Sequence, residues 1–170
     1  AAYSRLFRNN GGVPPMKDVA PALGLAILSL SVTPDCVVAD LDADGDLDLF
    51  EPLAGAFGRV MLNPGLNGAN WLKVKPIGRA SNRSAIGARV KVMAAGAPRL
   101  DVVRGRAGYL SSGPLETYHG LGAATAADLV EIRWPSGAWS AIPGPVAANQ
   151  KLVVEEPNLV TNPIWALGTI

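Results

Sequence analysis

Asp40-Leu41-Asp42-Ala43-Asp44-Gly45-Asp46-Leu47-Asp48-Leu49-Phe50 sets five aspartates on alternate positions around one glycine. Without a cation, carboxylates so spaced repel one another strongly. Calcium, a hard cation, takes six to eight oxygens at roughly 2.3–2.6 Å. Carboxylates at the first, third and fifth positions of a tight loop (Asp40, Asp42 and Asp44) converge on one point. Gly45 permits the sharp reversal. The backbone carbonyl of Asp46 and the carboxylate of Asp48 close the sphere, and the expected ion is Ca2+ in a structural role. The bland alternative is a solvated acidic turn.

The flanks decide which scaffold carries the loop. The pattern also fits an EF-hand, with Leu47 at the apolar position and Glu51 as the last ligand. An EF-hand needs a helix on each side. Pro34 stands where the entering helix would run, and Cys36-Val37-Val38 favours a strand. After the loop, Leu47 and Leu49 alternate with Asp46 and Asp48, and Pro52 follows at once. This predicts strand–loop–strand, with Glu51 outside the site.

Charge is distributed to match. Half of the 14 acidic residues lie between Asp35 and Glu51, with no Lys or Arg among them. From Lys73 to Arg106 the balance reverses, to nine basic residues and one acid, Asp101. Those basic residues alternate with apolar ones, which predicts a solvated sheet face rather than a site for an anionic polymer. No nucleic-acid motif accompanies them.

The rest of the composition points to an all-β protein. Of 170 residues, 49% are hydrophobic and only 17% charged, so a packed core is expected. The 19 Gly and 14 Pro recur at intervals that suit turns between short strands. No apolar run is long enough for a transmembrane helix. Cys36, the single cysteine, has no partner for an internal disulfide, and its apolar neighbours predict a buried, inert thiol. Ala1-Ala2-Tyr3 suits a mature end left by cleavage after small residues.

Two units follow. In the first, Leu6-Phe7-Arg8-Asn9-Asn10-Gly11 resembles Val60-Met61-Leu62-Asn63-Pro64-Gly65, each a short apolar strand entering an Asn/Gly turn. Their spacing is that of propeller blades. A strand-like run, Ile27 to Val32, lies between them. From Trp71 the alternation becomes regular in Trp71 to Lys75, Ala88 to Val92 and Leu129 to Trp134. Ala94 to Pro98 reads as a turn leading into Leu100 to Arg104, and Leu115 to Tyr118, Trp139 to Ile142 and Lys151 to Glu155 are further strands. The expected fold is therefore all-β: a calcium-stapled, blade-like hairpin unit (residues 1–66) packed with a small antiparallel sandwich or barrel (67–156). An apolar, uncharged tail (157–170) completes the chain.

Specific segments carry a family likeness. Val38 to Phe50, with Leu6-Phe7-Arg8-Asn9-Asn10-Gly11 and Asp18-Val19-Ala20, resembles the calcium hairpin of FG-GAP/VCBS-type propeller repeats. Downstream, the chain resembles the ASPIC/UnbV domain that follows such repeats in cartilage acidic protein and in bacterial secreted proteins. The matching pieces are Asn70-Trp71-Leu72, Asn82 to Val90, Gly108 to Ser112, Gly120-Leu121-Gly122, Val130 to Gly137 and Ala148-Asn149-Gln150. Two departures stand out: Tyr118-His119 where the family has His-Phe, and Pro64 where the repeat has a second Asn. Only about one propeller repeat is present, whereas a propeller needs several blades.

Other constellations are weak. His119, Ser111, Ser112 and Asp101 could be drawn as a triad, but no nucleophile elbow is present, and a packed structural histidine is the simpler reading. Glu116 and Glu131 are two carboxylates of unknown separation. One Cys and one His do not suggest zinc. The resemblance and the loop together imply a non-catalytic, calcium-binding interaction or structural subunit, extracellular or periplasmic. Its partners would be other protein subunits, met through residues 1–35 and the 159–170 tail. The alternative is a fragment of a propeller enzyme acting on carbohydrate or another small molecule.

Overall fold

The computed structural model describes residues 5–9, 15–26, 35–53, 57–65 and 68–158. Among these the chain is all β, with no helix. The first part contains a two-stranded ribbon of β1 (Phe7–Arg8) and β2 (Lys17–Asp18). It also contains a three-stranded antiparallel sheet of β3 (Val37–Ala39), β4 (Asp48–Glu51) and β5 (Arg59–Met61), with β4 in the middle. Strands thus stand on both sides of the aspartate loop. The Ile27 to Val32 run, Asn67 at the expected unit boundary and the 159–170 tail lie outside the described residues.

The second part is built from β6 (Asn70–Ile77), β7 (Arg89–Ala94), β8 (Ala97–Val102), β9 (Thr117–Gly122), β10 (Ala126–Arg133), β11 (Trp139–Ala147) and β12 (Gln150–Glu155). They form a four-stranded sheet in the order β11-β10-β7-β8 and a three-stranded sheet in the order β12-β6-β9. Period-two alternation turns Leu72, Val74, Val90, Val92, Leu121 and Ile132 into one shared, buried core, consistent with a sandwich rather than a closed barrel. A bulge in β10 between Ala127 and Leu129 resets the alternation, so that both Ala127 and Val130 face inward. Trp134 closes one end of the core, and its Nε1–H donates to Ser140 Oγ at 2.9 Å. Truncating a side chain such as Ile132 to alanine would cost about 2–5 kcal/mol.

Three details differ from the sequence reading. The antiparallel expectation fails at β12, which pairs parallel with β6, Leu152 opposite Val74. The chain leaves β11 in one sheet and enters β12 in the other through Ala148 and Asn149, so β12 arrives by a crossover rather than a hairpin. The turn after β7 is shorter than Ala94 to Pro98: only Ala95 and Gly96, both at positive φ, lie between the strands. Cys36 is exposed, not buried. It precedes a three-residue strand at the edge of its sheet, and partial desolvation, then the charges of Asp35 and Glu51, raise the thiol's pKa.

Candidate metal site

Ala39 pairs with Asp48 at the end of the β3–β4 hairpin, and the chain from Asp40 to Leu47 closes over it. The aspartates organise the loop's backbone. Asp40 Oδ2 accepts the Gly45 N–H at 3.1 Å, Asp42 Oδ1 the Asp44 N–H at 3.2 Å, and Asp44 Oδ1 the Asp46 N–H at 2.8 Å. Asp48 is fully buried, with Oδ2 accepting from Leu41 N–H at 2.7 Å and Oδ1 from Asn63 N–H at 2.8 Å. It ties the loop to the end of β5.

Carboxylate oxygens of Asp40, Asp42 and Asp48 come within 4.8 Å of one another and could together hold a cation. Asp44 and Asp46 are not in this triplet. The Asp46 side chain lies against Gly65, where an added Cβ would stand 2.6 Å from its Oδ2. The decisive atom is Asp40 Oδ1, which is buried and has no hydrogen-bond partner, in a side chain only 2% exposed. A buried carboxylate oxygen without a partner is costly unless something positive faces it. The triplet offers only hard oxygen donors, the chemistry that suits calcium or magnesium and not a soft metal. Glu51 stands apart, paired with Arg59 at 2.5 Å.

The second sheet holds the loop from outside. On β6, Leu72 and Val74 enter the core, so Trp71 and Lys73 face the other way. Tyr118 of β9 does the same beside Thr117 and His119. The Trp71 and Tyr118 rings stack at 6.3 Å between centroids and 16° between planes. The Tyr118 hydroxyl donates to the Gly45 carbonyl. Burial first, then the charges of Asp46, Asp40 and Asp44, push its pKa up to about 12, so it stays a donor. Lys73 Nζ donates to Asp40 Oδ2 and lies 4.8 Å from the Trp71 ring centroid. Lys73 is therefore covered by the loop, whereas Lys75, further along the same face, is exposed. Gly45, at φ +102, leaves room for the indole, which a Cβ would overlap. A second join lies nearby, where Asp35 accepts from Leu110 N–H at 2.7 Å.

A cleft of about 410 Å³ opens between loop and sheet. Its charged groups are taken up in pairs: Asp101 with Arg104 at 2.8 Å, Glu116 with Lys151 at 2.5 Å, Lys73 with Asp40. Glu131 pairs with Lys91 at 2.7 Å, so the two glutamates raised as a catalytic pair both carry lysine partners. His119 Nε2 meets Thr117 Oγ1 at 2.8 Å, not Ser111 or Ser112. Burial holds the ring neutral, and Thr117 Oγ1 also lies 3.5 Å from the Val74 carbonyl. The two serine hydroxyls donate to the Cys36 and Gly105 carbonyls.

One polar cluster escaped the sequence reading. Glu156 is 1% exposed and accepts from Arg79 N–H and Ser81 N–H, each at 2.7 Å, from Ser81 Oγ at 2.8 Å and from Ser136 Oγ. Burial alone would raise its pKa; the bonds from Ser136, Ser81 and Arg79 outweigh that and hold it at about 2. The clasp joins the loop after β6, the β10–β11 turn and the end of β12. In the same loop, Asn82 exchanges two hydrogen bonds with Ile86, at 2.8 and 2.9 Å, which folds Asn82 to Gly87 into a closed turn.

Residues 78–160 match the family model described as ASPIC and UnbV. The ASPIC/UnbV match takes in the Asn82 turn, the Glu156 clasp and strands β7 to β12. It begins just after β6, although β6 is the central strand between β9 and β12 and supplies Leu72 and Val74 to the same core. The structural unit is thus larger than the ASPIC/UnbV match by at least this strand. The aspartate loop lies outside the match. No curated protein matches the chain.

Proposed function

We propose that this chain is a non-catalytic, calcium-stapled β module of an extracellular or periplasmic protein, and that it works by contact with other protein subunits. The observation that carries this is the buried, partnerless Oδ1 of Asp40 within the Asp40–Asp42–Asp48 triplet. Bound there, calcium would supply the positive charge that holds the carboxylates together. Asp40, Asp42 and Asp48 would hold it directly. Asp44 would shape the loop through the Asp46 N–H, and Asp46 would contribute its backbone carbonyl. Strands on both sides of the loop support the FG-GAP/VCBS-like hairpin over an EF-hand. Extracellular calcium would fill even a weak site.

The subunit role is supported by apolar surface on the first part. Phe7, Leu23, Val60 and Leu62 are each more than half exposed, and Phe57 almost wholly so. Apolar side chains so exposed are available for contact with a partner. Pairing of the charged groups in the cleft supports binding over catalysis. No helix among the described residues is long and apolar enough to cross a membrane.

Calorimetric titration with calcium, and thermal melts with calcium or chelator, test the site. The expected result is saturable binding and a higher melting temperature in calcium, because a ligand of the folded state stabilises it by linkage. Identical melts in calcium and chelator would overturn the reading.

A further inference from the structure

We propose that Lys73 is a built-in competitor for the cation, reaching the aspartate loop from the neighbouring sheet and setting its affinity. This rests on the cation-site reading above and adds a regulating residue to it. Asp40 is the shared group. One of its oxygens carries the Lys73 ammonium and the Gly45 N–H, while the other is buried without a partner. The lysine side chain is 13% exposed, and its ammonium lies over the Trp71 ring. That ring is fixed in turn by Tyr118 and by contact with Gly45. The ammonium is therefore held at the loop and not free to swing into solvent without breaking these contacts.

A dication on Asp40 meets that positive charge at short range. Either the ion tolerates the repulsion or Lys73 gives up its contacts, and both lower affinity. When the ion leaves, the ammonium still neutralises part of the acidic cluster, so the loop keeps its docked shape. The site then loads and unloads without unfolding, and the second sheet decides at what calcium level it does so.

Lys73→Met keeps most of the apolar stem and removes the charge. Calcium titration of the full chain should show the variant binding about tenfold or more tightly than wild type, the least that a single and a double charge a few ångströms apart imply. In chelator the variant should melt below wild type, because the loop has lost its internal counter-charge. Lys75→Met, on the same strand and face, removes the same net charge and should bind within about twofold of wild type. If Lys73→Met fails to fold, Lys73→Gln decides by the same titration. Equal or weaker binding by a folded Lys73 variant, with wild type binding normally, overturns the proposal and leaves the cation site standing. No binding by any of the proteins overturns the site itself, and this proposal with it.

Discussion

Trp71 and Gly45 lie in different β units, yet the indole of one fills the space where a side chain on the other would go. At φ +102, Gly45 also has a backbone conformation that an L residue adopts only with strain. Gly45→Ala should therefore cost at least about 2 kcal/mol in urea denaturation, from backbone strain plus displacement of the ring. The tryptophan emission should shift as well. Wild-type stability in this variant would mean that loop and indole are not in fixed contact.

Asp42 and Asp48 should respond differently to substitution. Asp48 satisfies the Leu41 and Asn63 N–H groups, so Asp48→Ala should lower the melting temperature with or without calcium. Removing a buried acceptor of this kind costs about 1–3 kcal/mol. Asp42 is exposed and holds only the Asp44 N–H, so Asp42→Ala should act mainly on the calcium-dependent increment. Equal losses in chelator would refute the distinction.

His119 predicts a pH dependence. Burial, with Arg99 adding to it and Asp101 opposing, lowers its pKa to about 4. The unfolded residue takes its proton near pH 6.5. Between those values the unfolded chain binds the extra proton, so stability falls as pH drops from about 6.5 to about 4. The slope is at most about 1.4 kcal/mol per pH unit. Melts of wild type and His119→Gln across that range should diverge, the variant showing the flatter profile.

Glu156 acts in a lower window. With its folded pKa at about 2, below its ordinary value, its contribution is complete above about pH 4.5 and is lost as pH falls toward 2. Glu156→Gln puts an amide among four donors. It should cost on the order of 2 kcal/mol at pH 7, judged from the value of hydrogen bonds to a charged group. The two proteins should converge at pH 2. A constant difference across that range would assign the loss to packing.

How much was legible in the sequence follows from the range of each interaction. The strands of the second part were readable because Trp71 to Lys75 and Leu129 to Trp134 alternate with period two. The loop's flanking strands were readable because Pro34, Pro52 and Leu47/Leu49 exclude helices. Nothing local announced that β12 would lie parallel to β6, since that register is set by a crossover between sheets. Nothing local marked Glu156, because its donors lie in two distant turns. Lys73 looked solvated because alternation reports which face a residue is on, not what covers that face. The exposure of Cys36 has the opposite cause: an apolar run ordinarily signals burial, but this one borders a strand too short to cover it.

The pairing of β12 with β6 makes completion of this sheet wait for residues 150–155. The middle strand of the mixed sheet leaves the ribosome long before its second neighbour, residues 150–155. Until those residues emerge, one edge of β6 has no partner, and the Arg79 and Ser81 amides have no acceptor. A nascent chain stalled before Gln150 therefore presents an open sheet edge to whatever is nearby. The same wiring tells an engineer where to cut. A break between the two units, ahead of Asn70, leaves the sandwich whole, whereas a stop after β11 leaves β6 paired with β9 alone.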